Sequence, residues 1–89
     1  MLLRDKVVII TGVGPGMGQA MARIAAAEGA SVVLGARNQA FIDGVAADIA
    51  AAGGKAVALA TDVTRRADCD ALVAAGVKAF GRIDGLVNS

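Results

Sequence analysis

The sequence predicts an α/β fold in which a four-stranded parallel sheet carries three helices. Three observations point there: short apolar runs without alternation, longer amphipathic stretches between them, and a glycine-rich turn directly after the first run. Runs that are apolar at every position suit strands buried on both faces, as in a parallel sheet. Strands that alternate with helices through short turns imply right-handed crossovers.

The elements follow in order. Lys6 to Thr11, KVVIIT, is the first strand. Gly16 or Met17 to Glu28 is a helix with Met17, Met21 and Ile24 on one face as core packing, and Gly29 stops it. Ser31 to Ala36, SVVLGA, is the second strand. Asn38 is the N-cap of a second helix with a face of Phe41, Val45 and Ile49, ended by Gly53 and Gly54. Lys55 to Thr61 is a third, less branched strand. Thr64 caps a third helix with an apolar face of Cys69, Leu72, Val73, Val77 and Phe80, and Gly81 closes it. Cys69 is thereby a core residue. Ile83 to Asn88 is the fourth strand.

The expected strand order is 3-2-1-4, with two helices on one face and the third on the other. Residues 1–89 then form one unit, the first half of a doubly wound, Rossmann-type fold plus the strand that opens its second half. A fourth strand without an outer neighbour, and a sheet face only partly covered, recruit further protein. The chain is therefore expected to be a fragment or an obligate partner-seeker. It would form a homo-oligomer or take up a missing C-terminal half through the apolar edge at Leu86 and Val87.

Composition narrows the function. With 89 residues, only roughly 60–65% of the unfolded surface is buried on folding, which leaves stability marginal. Net charge is +1, the basic residues are scattered, and Phe41 and Phe80 are the only aromatics, so nucleic acid is not an expected partner. The chain has no histidine, the commonest metal ligand, and Cys69 has no intramolecular disulfide partner. No metal is expected. No apolar run approaches the ~18 residues of a membrane helix, and the first residues do not read as a signal peptide. The expected location is the cytoplasm.

The turn Thr11 to Gly18, TGVGPGMG, carries the chemistry. Gly12 lets the chain turn after the strand, and Gly16 lets backbone approach a pyrophosphate. Gly18 lets the helix pack close to the sheet, and Pro15 stiffens the turn. The helix N-terminus adds unpaired N–H groups and partial positive charge, with the Met17 N–H within reach of a diphosphate. There is no Gly-Lys-Ser/Thr ending, which disfavours a triphosphate P-loop. Gly12-x-Gly14-x-x-Met17 misses the six-residue dinucleotide pattern at its last position. The turn nonetheless follows a buried strand and opens a helix, the context that pattern requires.

Thr11-Gly12-x-x-x-Gly16-x-Gly18 resembles the cofactor motif of the short-chain dehydrogenase/reductase family, in its classical branch. RDKVVIITG resembles the family's opening, Asp62-Val63 its adenine-contacting pair, and Asp84-Gly85-Leu86-Val87-Asn88 the lead-in to its Asn-Asn-Ala-Gly motif. The resemblance covers essentially the whole chain and corresponds to the family's N-terminal, cofactor-binding segment. It implies an oxidoreductase that moves hydride between nicotinamide and an alcohol or carbonyl. Cofactor contacts are implied for Gly12, Gly14, Pro15, Gly16, Met17, Gly18, Arg37, Asp62, Val63 and Asn88.

Some positions depart from the family. Ser89 stands where a second asparagine is usual, and Gly14 lacks the hydroxyl often found in the turn. The family's catalytic asparagine, serine and Tyr-x-x-x-Lys pair would lie beyond Ser89, so no catalytic residue is assigned. The 89 residues alone are expected to turn over no carbonyl substrate. A non-catalytic half-Rossmann module, truncated or engineered, which binds dinucleotide or self-associates, is the alternative.

The end of the second strand sets cofactor preference. An acid there would bond the adenosine ribose and repel a 2′-phosphate. Ala36 stands where NAD-preferring relatives carry Asp, and Arg37 follows with a guanidinium suited to a phosphate. NADP(H) is expected over NAD(H), although Pro15 occupies a position where many NADP-preferring relatives have a second base. Asp62 contacts adenine or caps the segment before the third helix. Asn88 contacts ligand or ties strands together, and Thr11 is structural, pointing towards the fourth strand.

Overall fold

The structure is a computed structural model, and residues 2–88 are described. Four strands and three helices alternate: β1 (Val7–Thr11), α1 (Met17–Ala27), β2 (Ser31–Ala36), α2 (Gln39–Ala51), β3 (Lys55–Ala60), α3 (Arg66–Phe80) and β4 (Gly85–Asn88). The sheet order is β3-β2-β1-β4 and every pairing is parallel. Fold class, order and element sequence agree with the expectation. β4 starts at Gly85 rather than Ile83, because Asp84 turns inward: its carboxylate accepts the Val7 N–H at 2.8 Å.

The unalternating runs of β1 and β2 are buried on both faces as expected. Ile10, Val32 and Leu34 pack with Ala22 of α1 and with Ile42, Val45 and Ile49 of α2. Val7, Ile9 and Val33 point the other way and pack against Leu72 of α3. The first two helices thus share one face and the third covers the other, the handedness that right-handed crossovers impose. β3 is the half-buried edge. Asn38 caps α2, its Oδ1 accepting the Phe41 N–H at 3.0 Å. Gly81 ends α3 with φ of 84°, a left-handed cap that glycine adopts without strain.

Four expectations about packing are corrected. On α1 the core residues are Gly18 and Ala22, whereas Met17 and Ile24 are exposed and Met21 only half-buried. The helix sits close to the sheet through its small residues, which leaves the larger ones at the rim. On α3 Leu72 and Gly76 are buried, and Val73 and Val77 lie in a neighbouring exposed row. Cys69 is half-buried rather than core, with its thiol donating weakly to the Val63 carbonyl at 3.6 Å. Thr64 does not cap α3. Arg65 is the N-cap, without a side-chain bond; the Thr64 hydroxyl and N–H instead both donate to the Asp62 carboxylate.

Two glycines permit the approach of α3 to the sheet. A Cβ on Gly35 of β2 would lie 2.6 Å from Leu72 Cδ2, and one on Gly76 would lie 2.9 Å from Val33 Cγ2. Below β4, on the α1 side, no helix among the described residues fills the surface. An apolar cleft of about 620 Å³ opens there, lined by Met21, Ile24, Val8, Leu86 and Val87 among others.

Candidate functional site

β1 pairs with β2 on one side and β4 on the other, so the chain path leaves β1 in both directions. In open α/β sheets, the crevice beyond the carboxyl ends of strands at such a switch point is where ligands bind. The glycine turn lies there. Gly12 follows β1 with φ of 71°, a conformation that L side chains rarely adopt. The next residue, Val13, is buried, and its N–H reaches the Gly35 carbonyl at 3.5 Å. Gly14 is half-buried, and Pro15 and Gly16 are exposed.

Gly16 is the N-cap of α1 and offers no side-chain cap, and the first turn carries no acid. The N–H groups of the opening turn, from Met17 and Gly18, are therefore available to an anion. No atom lies within 4 Å of where a Gly16 Cβ would stand. Packing inside the chain does not require glycine at this position, whereas a diphosphate resting on the turn does. The residues present thus fit a dinucleotide pyrophosphate.

Beside the turn, Gly12, Val13, Ala36, Arg37, Thr61 and Val63 line a cleft of about 290 Å³. The apolar cleft under β4 is larger, but it lies along the strand rather than at its carboxyl end. The smaller one has a mixed polar and apolar lining. Val13 and Thr61 were not singled out from the sequence. Both sit one or two residues past a strand end, a position that marks the rim of this crevice. Thr61 is buried, its hydroxyl donating to the Leu59 carbonyl at 2.8 Å and its N–H to the Ala36 carbonyl at 2.8 Å.

Arg37 is exposed along three-quarters of its side chain and forms a long ion pair with Asp62 at 3.4 Å. Two Thr64 bonds, and then the Arg37 charge, hold the Asp62 carboxyl below its ordinary range. Asp62 thus braces the segment ahead of α3, and the Asp68 carboxylate accepts its N–H at 2.9 Å. At β4, the Thr11 hydroxyl donates to Asn88 Oδ1 at 2.9 Å. This is a tie between neighbouring strands, so Asn88 acts structurally in the chain itself. Gly12, Arg37 and Val63 share the cleft, Gly14 to Gly18 lie in the adjoining turn, and Asn88 stands apart on β4.

Asp84 holds the other end of β1. The Val7 N–H bond, followed by Arg82, pulls its pKa below the ordinary 3.8. A depressed folded-state pKa contributes stability above about pH 4 that is lost as pH falls through the folded value. The melting temperature of the wild-type chain is expected to fall as pH drops below about 4, and that of Asp84→Asn to fall less. Parallel pH profiles for the two proteins would contradict this.

A four-stranded 3-2-1-4 sheet with an uncapped glycine turn at its switch point defines a Rossmann-type dinucleotide fold. The chain belongs to the short chain dehydrogenase family, whose model matches residues 6–89. It is 45% identical over 93 residues to L-rhamnose 1-dehydrogenase (NAD(P)(+)) of Azotobacter vinelandii, covering 100% of this chain and 36% of that protein. The solved structure of a hydroxysteroid dehydrogenase from Escherichia coli superposes with a TM-score of 0.93 at 37% identity, over 97% of this chain and 37% of the other. A metagenomic short-chain oxidoreductase in complex with NADP superposes with a TM-score of 0.87 at 36% identity, over 97% of this chain and 39% of the other. The chain therefore spans little more than a third of the length of the relatives it matches. Among the described residues no helix is long and apolar enough to cross a membrane.

Proposed function

We propose that this chain forms the cofactor platform of a short-chain oxidoreductase and that the platform favours NADP(H) over NAD(H). The observation that carries the reading is the cleft beside the glycine turn: Ala36 presents no acid and Arg37 presents an exposed guanidinium. Gly12 to Gly18 hold the pyrophosphate, Val63 and Asp62 border the adenine, and Arg37 grips the 2′-phosphate. When bound, the nicotinamide supplies or accepts hydride, and the substrate is an alcohol or carbonyl compound. The residues of this chain bind and orient; none is proposed as a proton donor. Support comes from the family, which uses a nicotinamide dinucleotide, and from the metagenomic relative solved with NADP.

Titration of the protein with NADPH and NADH tests the preference. Tighter binding of NADPH by about ten- to hundredfold is expected, from one charge-assisted phosphate contact worth about 1.5–3 kcal/mol. Equal affinity would defeat the NADP assignment.

A second property rests on a different observation. Ile24 and Leu86 are 64% and 66% exposed, and the apolar cleft between α1 and β4 has no cover among the described residues. Exposed apolar edges associate, so the 89-residue chain is expected to be dimeric or larger. Light scattering that shows a stable monomer at micromolar concentration would contradict it.

A further inference from the structure

The mouth of the nucleoside cleft holds a side-chain relay that phosphate binding by Arg37 alone does not explain. Asp62 Oδ1 accepts three donors: the Thr64 hydroxyl at 2.6 Å, the Thr64 backbone N–H at 2.9 Å and an Arg37 guanidinium nitrogen at 3.4 Å. Arg37 follows β2 and Asp62 follows β3. They meet because Ala36 pairs with Ala60 in parallel register and the Thr61 N–H then bonds the Ala36 carbonyl.

An exposed arginine samples many rotamers, and gripping a ligand removes that freedom. The Asp62 contact restrains Arg37 before any ligand arrives and leaves most of its five N–H donors for another acceptor. A carboxylate close to a phosphate site also repels the ligand. Here its most heavily bonded oxygen is already satisfied by three donors, and solvent screens what remains. Restraint therefore outweighs repulsion.

We propose that Thr64 is a positioning residue for NADP(H) selection: it fixes the Asp62 carboxylate, which holds Arg37 at the cleft mouth ready for a 2′-phosphate. The proposal rests on the reading of Arg37 as the phosphate ligand. Adenosine 2′,5′-bisphosphate and adenosine 5′-monophosphate differ only in that phosphate, so the ratio of their dissociation constants isolates it. Calorimetric titration of the wild type, Thr64→Val, Thr64→Ser, Asp62→Asn and Arg37→Ala gives the comparison.

The wild type is expected to prefer the bisphosphate by about tenfold or more. Thr64→Val and Asp62→Asn are expected to cut the preference by about three- to tenfold, and Thr64→Ser to keep it within about twofold. A purely structural Thr64 weakens both probes alike and leaves the ratio where it was. A ratio unchanged or raised in Thr64→Val or Asp62→Asn overturns the positioning role, as does its loss in Thr64→Ser. A wild-type ratio near one that Arg37→Ala does not alter defeats the Arg37 reading itself, and this proposal with it.

Discussion

Replacing Leu72 by alanine is expected to destabilise the chain by about 2–5 kcal/mol, the range for truncating a buried leucine. Leu72 is the largest buried side chain of α3 and packs on Val7, Ile9 and Val33, so it anchors that helix to the sheet. Small domains are stable by only about 5–15 kcal/mol, so the loss takes a large share of the total. The converse change, Gly35→Ala, inserts a Cβ 2.6 Å from Leu72 Cδ2 and is expected to cost about 1–3 kcal/mol by overpacking. In the double variant, the Gly35 methyl enters the space that the leucine vacates. Its cost should fall below the sum of the two singles by about 0.5–3 kcal/mol. Denaturant melts of the four proteins measure this. Strict additivity would mean that Gly35 and Leu72 do not share the contact.

Arg37→Ala is expected to weaken NADPH binding about ten- to hundredfold and to leave NADH binding within about twofold. The asymmetry follows from the chemistry. NADH has no 2′-phosphate, so it loses nothing when the guanidinium goes. The arginine is largely exposed, and its ion-pair partner, Asp62, stays satisfied by Thr64. The variant should therefore fold normally, which separates lost recognition from lost structure. An equal fall for both cofactors would point to a general role for Arg37 in the shape of the cleft.

Much of the fold was legible because its signals are local. KVVIIT and SVVLGA are short, β-branched runs without alternation, the pattern of buried strands, and TGVGPGMG punctuates the first of them. The parallel order then followed from alternation and handedness. What escaped was the choice between adjacent rows on a helix. Periodicity finds the apolar side of α1 but cannot tell that Gly18 and Ala22 carry the contact while Met17 and Ile24 stay at the rim. Glycine and alanine add little to a hydrophobic pattern, yet they set how closely a helix can approach. The same holds for Gly76 beside Val73 and Val77.

The site divides in the same way. The glycine turn is one contiguous stretch, and its role could be read residue by residue. Thr61 and Val13 join the cleft only because strand register brings their ends together. Thr64 reads as a helix cap because a threonine before a helix commonly is one. Its hydroxyl instead donates to Asp62, two residues away, whose carboxylate also draws the Arg37 side chain into the same cluster.

The most direct test is to map the backbone amide signals of the isotope-labelled protein as NADPH is added. Shifts are expected to concentrate at Gly12 to Gly18, Arg37 and Asp62 to Thr64, around the turn and the small cleft. NADH should reproduce those of the turn and spare Arg37. Shifts confined to Met21, Ile24 and Leu86, along the apolar cleft under β4, would contradict a cofactor platform at the switch point.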